Sequence, residues 1–216
     1  MSAPDSQQRY RVLATGLLVS AGFFLLLGAV AWLSAEGRPL GDADARIARW
    51  MPPERPGVHT FFSVVTHLGN WPAVLTGASG VGVLLWRRGR RAWALAAVAS
   101  AAGAGLLDEA IKRVFLRPRP PAPYLSASGY AFPSGHATLA LAFYGLCAWL
   151  ALRSRLPRGW KVVAVAGSIL LVLVVGASRV YLSAHWLSDV LGGYATGAAW
   201  LSLCVTALRL TAVKRS

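Results

Sequence analysis

Long apolar runs separated by short polar segments rich in arginine recur six times along the chain. They are Val12 to Ser34, Phe61 to Trp86, Ala92 to Leu107, Ala137 to Leu152, Val162 to Ala177 and Trp186 to Leu208. The first holds no charged residue and exceeds the roughly 20 apolar residues with which a helix crosses a bilayer. Three others reach only about 16 residues, roughly 24 Å of helix against a hydrocarbon core of roughly 30 Å. Flanking polar residues must therefore complete them: Lys112 extends the third span, His136 begins the fourth, and Ser178-Arg179 finish the fifth. The pattern predicts an all-α fold, an integral-membrane bundle of six transmembrane helices.

Between the runs the chain offers few other elements. Residues 1–8 form a polar tail, and Ala35 to Gly57 is the longest segment outside the spans. Within it, Asp42 to Met51 is either a surface loop or a short interfacial helix with Ile47, Trp50 and Met51 toward lipid, ended by Pro52-Pro53. Asn70-Trp71-Pro72 predicts a kink in the second span, because Pro72 has no amide hydrogen and collides with the preceding turn. The first run follows Arg9 and Arg11 and contains Ala29-Val30-Ala31, as a cleaved signal peptide would. It is longer than the 7 to 15 residues usual for a signal core, which favours a retained helix. No linker, low-complexity tract or repeat divides the chain, so 1–216 reads as one domain with its chemistry between 108 and 190.

Composition sharpens this picture. With 56% hydrophobic and 14% charged residues and a mean hydropathy of +0.51, the chain is too apolar for an ordinary soluble domain. A net charge of +14 invites a nucleic-acid reading, which the distribution of charge opposes. If the N-terminus is cytoplasmic, the inner segments carry Arg9, Arg11, Arg87, Arg88, Arg90, Arg91, Arg153, Arg155, Arg158, Lys161, Arg209, Lys214 and Arg215 against one acid, Asp5. The outer segments hold the other nine cations and seven acids. The positive-inside rule thus accounts for the excess, with no nucleic acid as partner. Trp32, Trp86, Trp93, Trp149, Trp160 and Trp186 sit near span ends, as aromatic side chains at a lipid boundary do, while Trp71 and Trp200 break that pattern. Cys147 and Cys204 lie inside apolar runs and read as small core residues.

Three short motifs then fall on the outer side. In the last, His185 and Asp189 are four residues apart, so on one helix they would share a face. The carboxylate would accept from one ring nitrogen and leave the other as a nucleophile. Pro133-Ser134-Gly135-His136 reads as a helix start, with Ser134 as N-cap, Gly135 letting amides approach a ligand, and His136 in the first turn able to pass a proton. Lys112 ends a helix, and the prolines at 118 and 120 push Arg117 to Pro123 into a stiff extended strip. Arg119 would then meet Lys112 across one phosphate, although Arg117-Pro118 repeats the pattern. Arg179 supplies a planar fork suited to phosphate oxygens. Asp108 and Glu109 precede Lys112 and Arg113 by four residues and can orient them. His59 and His67 belong to none of the motifs and read as interfacial or core residues.

Lys112-Arg119-Pro120, Pro133-Ser134-Gly135-His136 and Ser178-Arg179-His185-Asp189 together resemble the three motifs of the type 2 phosphatidic acid phosphatase superfamily, with no departure at a motif position. The resemblance implies metal-independent hydrolysis of a lipid phosphate or diphosphate, with no cofactor. In it His185 attacks phosphorus, Asp189 holds its ring and His136 protonates the leaving oxygen. Lys112, Arg119, Ser134, the Gly135 amide and Arg179 would bind the phosphate. The implied partners are a membrane lipid and the bilayer, with a bacterial inner membrane as the expected home and no signal for an oligomeric state. Polyprenyl diphosphate, phosphatidate and phosphatidylglycerophosphate compete as substrates. A phosphotransferase using the same phosphohistidine, or a non-catalytic lipid-binding or transport protein, are the alternatives. The soluble haloperoxidase branch shares the motifs but not the apolar spans.

Overall fold

A computed structural model describes residues 3–50, 55–121 and 129–213. Within them run eight α-helices: α1 (Ala3–Leu33), α2 (Pro39–Trp50), α3 (Pro56–Val65), α4 (Trp71–Arg87), α5 (Arg91–Phe115), α6 (Gly135–Leu152), α7 (Arg158–Tyr181) and α8 (Leu187–Val213). Five of these, α1, α5, α6, α7 and α8, are long and apolar enough to cross a membrane, and α3 with α4, bent by 50°, makes a sixth if the pair is one span. The polar residues expected to complete the short spans do so: Lys112 lies in the last turn of α5, His136 in the first of α6, and Arg179 in the last of α7.

The bend in the second span has a different cause from the kink expected of Pro72. A 3₁₀ turn, Thr66–Gly69, interrupts the helix, and Asn70 then caps α4 by accepting from the Ala73 amide at 2.9 Å. Pro72 sits in the first turn of α4, where its missing amide hydrogen would have had no intrahelical acceptor, so it begins a helix rather than bending one. The Tyr144 hydroxyl donates to the Leu68 carbonyl at 2.9 Å. A broken backbone at this depth needs such partners.

α2 also differs from its expectation. It turns inward: Asp44 is buried and Ile47 half-buried, while Trp50 is exposed. Met51, Pro52 and Pro53 lie outside the described residues, as do positions 122 and 123 of the expected extended strip; Arg117–Pro121 has no helix.

α6 and α8 are the most buried spans, and α1, whose Leu18 and Leu25 are largely exposed, the least. α8 crosses the start of α6 almost backbone to backbone. A Cβ on Gly193 would lie 2.6 Å from the Ser134 carbonyl oxygen, and one on Gly197 would lie 2.7 Å from that of Thr138. Small residues at such crossings let membrane helices approach. Here the approach sets the first turn of α8 against the first turn of α6. Trp71 and Trp200, which fit no lipid boundary, fill the space left by Gly105 and Gly103 on α5, and the Trp200 indole donates to the Ala99 carbonyl at 3.0 Å.

Candidate active site

The end of α5, the start of α6, the end of α7 and the start of α8 meet at one end of the bundle. Between them opens a cavity of about 610 Å³. Lys112, Arg119, Gly135, His136, Arg179 and His185 line it, and Thr66, His67, Asn70 and Trp71 close it from the broken span. Of the eight residues expected at the site, Ser134 and Asp189 alone stand behind its wall, both fully buried. His67, read from sequence as an interfacial or core residue, belongs to the wall, and Asn70 Nδ2 donates to its Nδ1 at 3.2 Å.

His185 does not share a helix face with Asp189. It stands in the turn 182–186 before α8, held there because the Ala184 and His185 amides donate to the Arg179 carbonyl at 3.1 and 3.2 Å. Its Nδ1 lies 2.8 Å from the Ala131 carbonyl oxygen and 3.5 Å from Asp189 Oδ2. A carbonyl only accepts, so Nδ1 carries the hydrogen and Nε2 keeps its lone pair. Nε2 faces Arg119 Nη1 at 3.0 Å. Burial above all, then Arg179, Arg119 and Lys112, pushes the His185 ring well below the ordinary histidine range, so it is neutral at neutral pH.

Three cations ring this nitrogen, each anchored differently. Lys112 Nζ donates to Asp108 Oδ2 at 2.7 Å, and Asp108 Oδ1 accepts from Thr138 Oγ1 at 3.1 Å. Arg119 is fixed by the carbonyls of Gly129 at 3.0 Å and Ala184 at 2.7 Å. Arg179 Nη1 donates to Thr66 Oγ1 at 2.9 Å, while its buried Nε has no partner among the described residues. The Ser134 hydroxyl is likewise buried without a partner among the described residues, although Ser134 is the N-cap of α6 by position. It makes no cap bond. Its amide donates instead to the Asp189 carbonyl at 2.9 Å, which ties α6 to α8. Ser178 spends its hydroxyl on the Val175 carbonyl at 2.5 Å and stays off the cavity. A Cβ on Gly135 would come within 2.8 Å of Asp108 Oδ2 and 3.2 Å of Lys112 Nζ, so only glycine lets the α6 start approach that pair.

The two arginines of the extended strip part company. Arg119 enters the cavity, whereas Arg117 points behind His185. Arg117 Nη1 donates to Asp189 Oδ1 at 2.7 Å and Ser188 Oγ at 2.6 Å, and its Nη2 donates to Asp44 Oδ2 at 2.9 Å. Asp44 also accepts from the Ser188 amide at 3.0 Å and from the Ser188 hydroxyl. Asp189 Oδ2 accepts from the Trp186 amide at 2.9 Å. Asp44 gives no sequence signal, being one acid among several in a loop. The Glu109–Arg113 pair, expected alongside Asp108–Lys112, forms at 3.4 Å on the exposed side of α5; Glu109 stands at the cavity's edge and Arg113 outside it.

A cavity at the ends of apolar spans, lined by Lys112, Arg119 and Arg179 with a neutral imidazole aimed into it, defines the class. A sequence profile of the PAP2 superfamily matches residues 93–211. The chain belongs to that superfamily and is an integral membrane member of it. Phosphatidylglycerophosphatase B of Bacillus subtilis is 31% identical over 182 residues, which are 81% of this chain and 86% of the relative. Decaprenylphosphoryl-5-phosphoribose phosphatase of Mycolicibacterium smegmatis is 33% identical over 64% of this chain and 73% of its own. Lipid A 1-phosphatase of Rhizobium johnstonii is 38% identical over 46% of this chain and 41% of its own. The crystal structure of a transmembrane PAP2 type phosphatidylglycerolphosphate phosphatase from Bacillus subtilis superposes with a TM-score of 0.79 at 26% identity, covering 87% of this chain and 94% of that one.

Proposed function

We propose that the protein hydrolyses a lipid phosphate or diphosphate through a phosphohistidine at His185, at the outer face of a bacterial inner membrane. The observation that carries this reading is the His185 Nε2 lone pair facing a cavity ringed by Lys112, Arg119 and Arg179, with the Arg179 Nε, and the Ser134 hydroxyl just behind the wall, unpartnered among the described residues. A phosphate offers the acceptors these buried donors lack.

Nε2 attacks phosphorus and forms the N–P bond as the bond from phosphorus to the lipid oxygen breaks. His136 gives that oxygen a proton, and the lipid alcohol, or lipid monophosphate from a diphosphate, departs. His136 then takes a proton from water, which attacks phosphorus, breaks the N–P bond and releases phosphate. Lys112, Arg119, Arg179 and the donors at the α6 start hold the equatorial oxygens through both steps. They supply fixed positive charge of the kind a metal brings elsewhere, which supports metal-independent turnover. The arriving phosphate anion offsets the cations and favours a charged His136 ring, as its acid role needs.

The 31% identity to phosphatidylglycerophosphatase B over most of both chains makes phosphatidylglycerophosphate the first substrate to assay. Phosphatidate and a polyprenyl diphosphate follow. Purified protein with chelator present should release phosphate from at least one of them, and His185→Ala should reduce release more than a thousandfold. Near-normal release by His185→Ala, or an absolute need for divalent metal, overturns the mechanism.

A further inference from the structure

We infer that Asp44 is a positioning residue for the reaction: from α2 it fixes Arg117 and Ser188, and through them holds the Asp189 carboxylate behind His185. This rests on the reading of His185 as nucleophile. Three donors converge on the Asp44 carboxylate, namely Arg117 Nη2, the Ser188 amide and the Ser188 hydroxyl. Arg117 is thereby shared between two buried carboxylates, at 2.9 Å from Asp44 and 2.7 Å from Asp189. Without Asp44 the guanidinium would have Asp189 as its single carboxylate and would be free to follow it. With Asp44 it is anchored from behind, and Asp189 Oδ2 is left toward Nδ1 of His185 at 3.5 Å. None of these atoms touches the phosphate cavity, so the brace acts on the imidazole and not on substrate binding.

The test is a set of purified variants assayed on phosphatidylglycerophosphate: Asp44→Asn, Asp44→Glu, Arg117→Gln and the double Asp44→Asn/Arg117→Gln. Asp44→Asn should reduce kcat roughly tenfold to a hundredfold with KM and the affinity for inorganic phosphate within twofold. Asp44→Glu should recover part of the loss, and the double variant should be no worse than Arg117→Gln alone, as for residues acting as one unit. The His185 imidazole titration by NMR, assigned against His185→Ala, should also move in Asp44→Asn, a readout that needs no turnover. Wild-type kcat and an unmoved titration in folded Asp44→Asn overturn the brace. An active His185→Ala protein overturns the nucleophile instead, so the two failures are distinguishable.

A separate cavity at the opposite end of the bundle carries a second inference. Here the start of α1, the start of α5 and the ends of α6 and α8 enclose about 370 Å³, with Arg11, Arg153 and Arg209 around it and the tilted Trp93–Trp149 pair at its side. Among the described residues no acid lines it, and none of the three arginines has a carboxylate partner. All three are exposed, so one headgroup phosphate can reach them together and offset the mutual repulsion that water and salt only partly screen. Val12, Leu208 and Ala212 give it an apolar wall. We propose that this cavity binds the phosphate of an anionic phospholipid headgroup.

Native mass spectrometry on protein exchanged into phosphatidylglycerol or phosphatidylcholine tests it. Phosphatidylglycerol should be retained at least about tenfold more, and Arg11→Gln/Arg153→Gln/Arg209→Gln should lose that preference while its kcat stays at the wild-type level. Equal retention by the triple variant overturns the site. Displacement of the lipid by millimolar inorganic phosphate shows a free-phosphate site and overturns the lipid assignment.

Discussion

His185 separates two charge clusters of opposite character. In front of it, Lys112, Arg119 and Arg179 leave buried donors on Arg179 and Ser134 without partners. Behind it, Arg117, Asp44, Ser188 and Asp189 bond to one another and to the backbone. Both clusters are buried and both contain arginine, yet only one can take an anion. A saturated ion network fixes geometry, because removing one partner strands the others. An unsaturated one is disposed to a ligand that completes it. Arg117 and Arg119 sit two residues apart in the chain and fall on opposite sides of that line.

Breaking the front cluster should have the largest effects. Arg179→Gln removes a buried fork and should lower kcat/KM roughly a hundredfold to a thousandfold with folding intact, measured as phosphate release and thermal unfolding. A loss under tenfold would place Arg179 outside the phosphate site. Arg119→Gln should cost about a hundredfold and also move the pH profile. The His185 ring is held low by burial, then by Arg179, Arg119 and Lys112, and on the proposed mechanism its protonation stops attack. In the wild type the acid limb of kcat/KM should therefore fall below pH about 6.5, and losing the Arg119 charge should raise the ring's proton affinity and carry that limb upward. A limb that stays put or moves down counts against the coupling. Gly135→Ala pushes a methyl into the Asp108–Lys112 pair and should raise KM for the lipid and weaken inorganic phosphate about tenfold by calorimetry, with a smaller change in kcat. Asp108→Asn keeps the Thr138 bond and loses the charge on Lys112; a severalfold rise in KM is expected, and unchanged kcat and affinity would remove Asp108 from the site's support.

The front cluster was legible in sequence because its residues stand at fixed spacings beside proline and glycine punctuation. The back cluster was not. Asp44 reaches Arg117 across 73 positions and Ser188 across 144, and nothing local marks it off from Asp42. His185 and Asp189 were read with the right spacing on the wrong element, since the turn ahead of α8, drawn tight onto the Arg179 carbonyl, takes His185 off the helix and gives its Nδ1 to Ala131. Pro72 marked the right place in the second span for the wrong reason. The spans themselves were plain, because apolar length survives any detail of packing, and Lys112, His136 and Arg179 completed them as their short lengths required.

The brace has a consequence in time. The chain is made from its N-terminus, so Asp44 emerges long before Arg117 and longer still before the Ser188 amide. Until α8 is in place the two Ser188 donors are missing, and Arg117 alone of the brace can meet the Asp44 carboxylate. The brace is therefore completed only when α8 arrives, and a chain halted after α7 would carry Lys112, Arg119, His136 and Arg179 around a cavity that lacks His185 and the Ser188–Asp189 half of its frame. On the proposed reading of His185 as nucleophile, activity waits for α8 and the turn ahead of it.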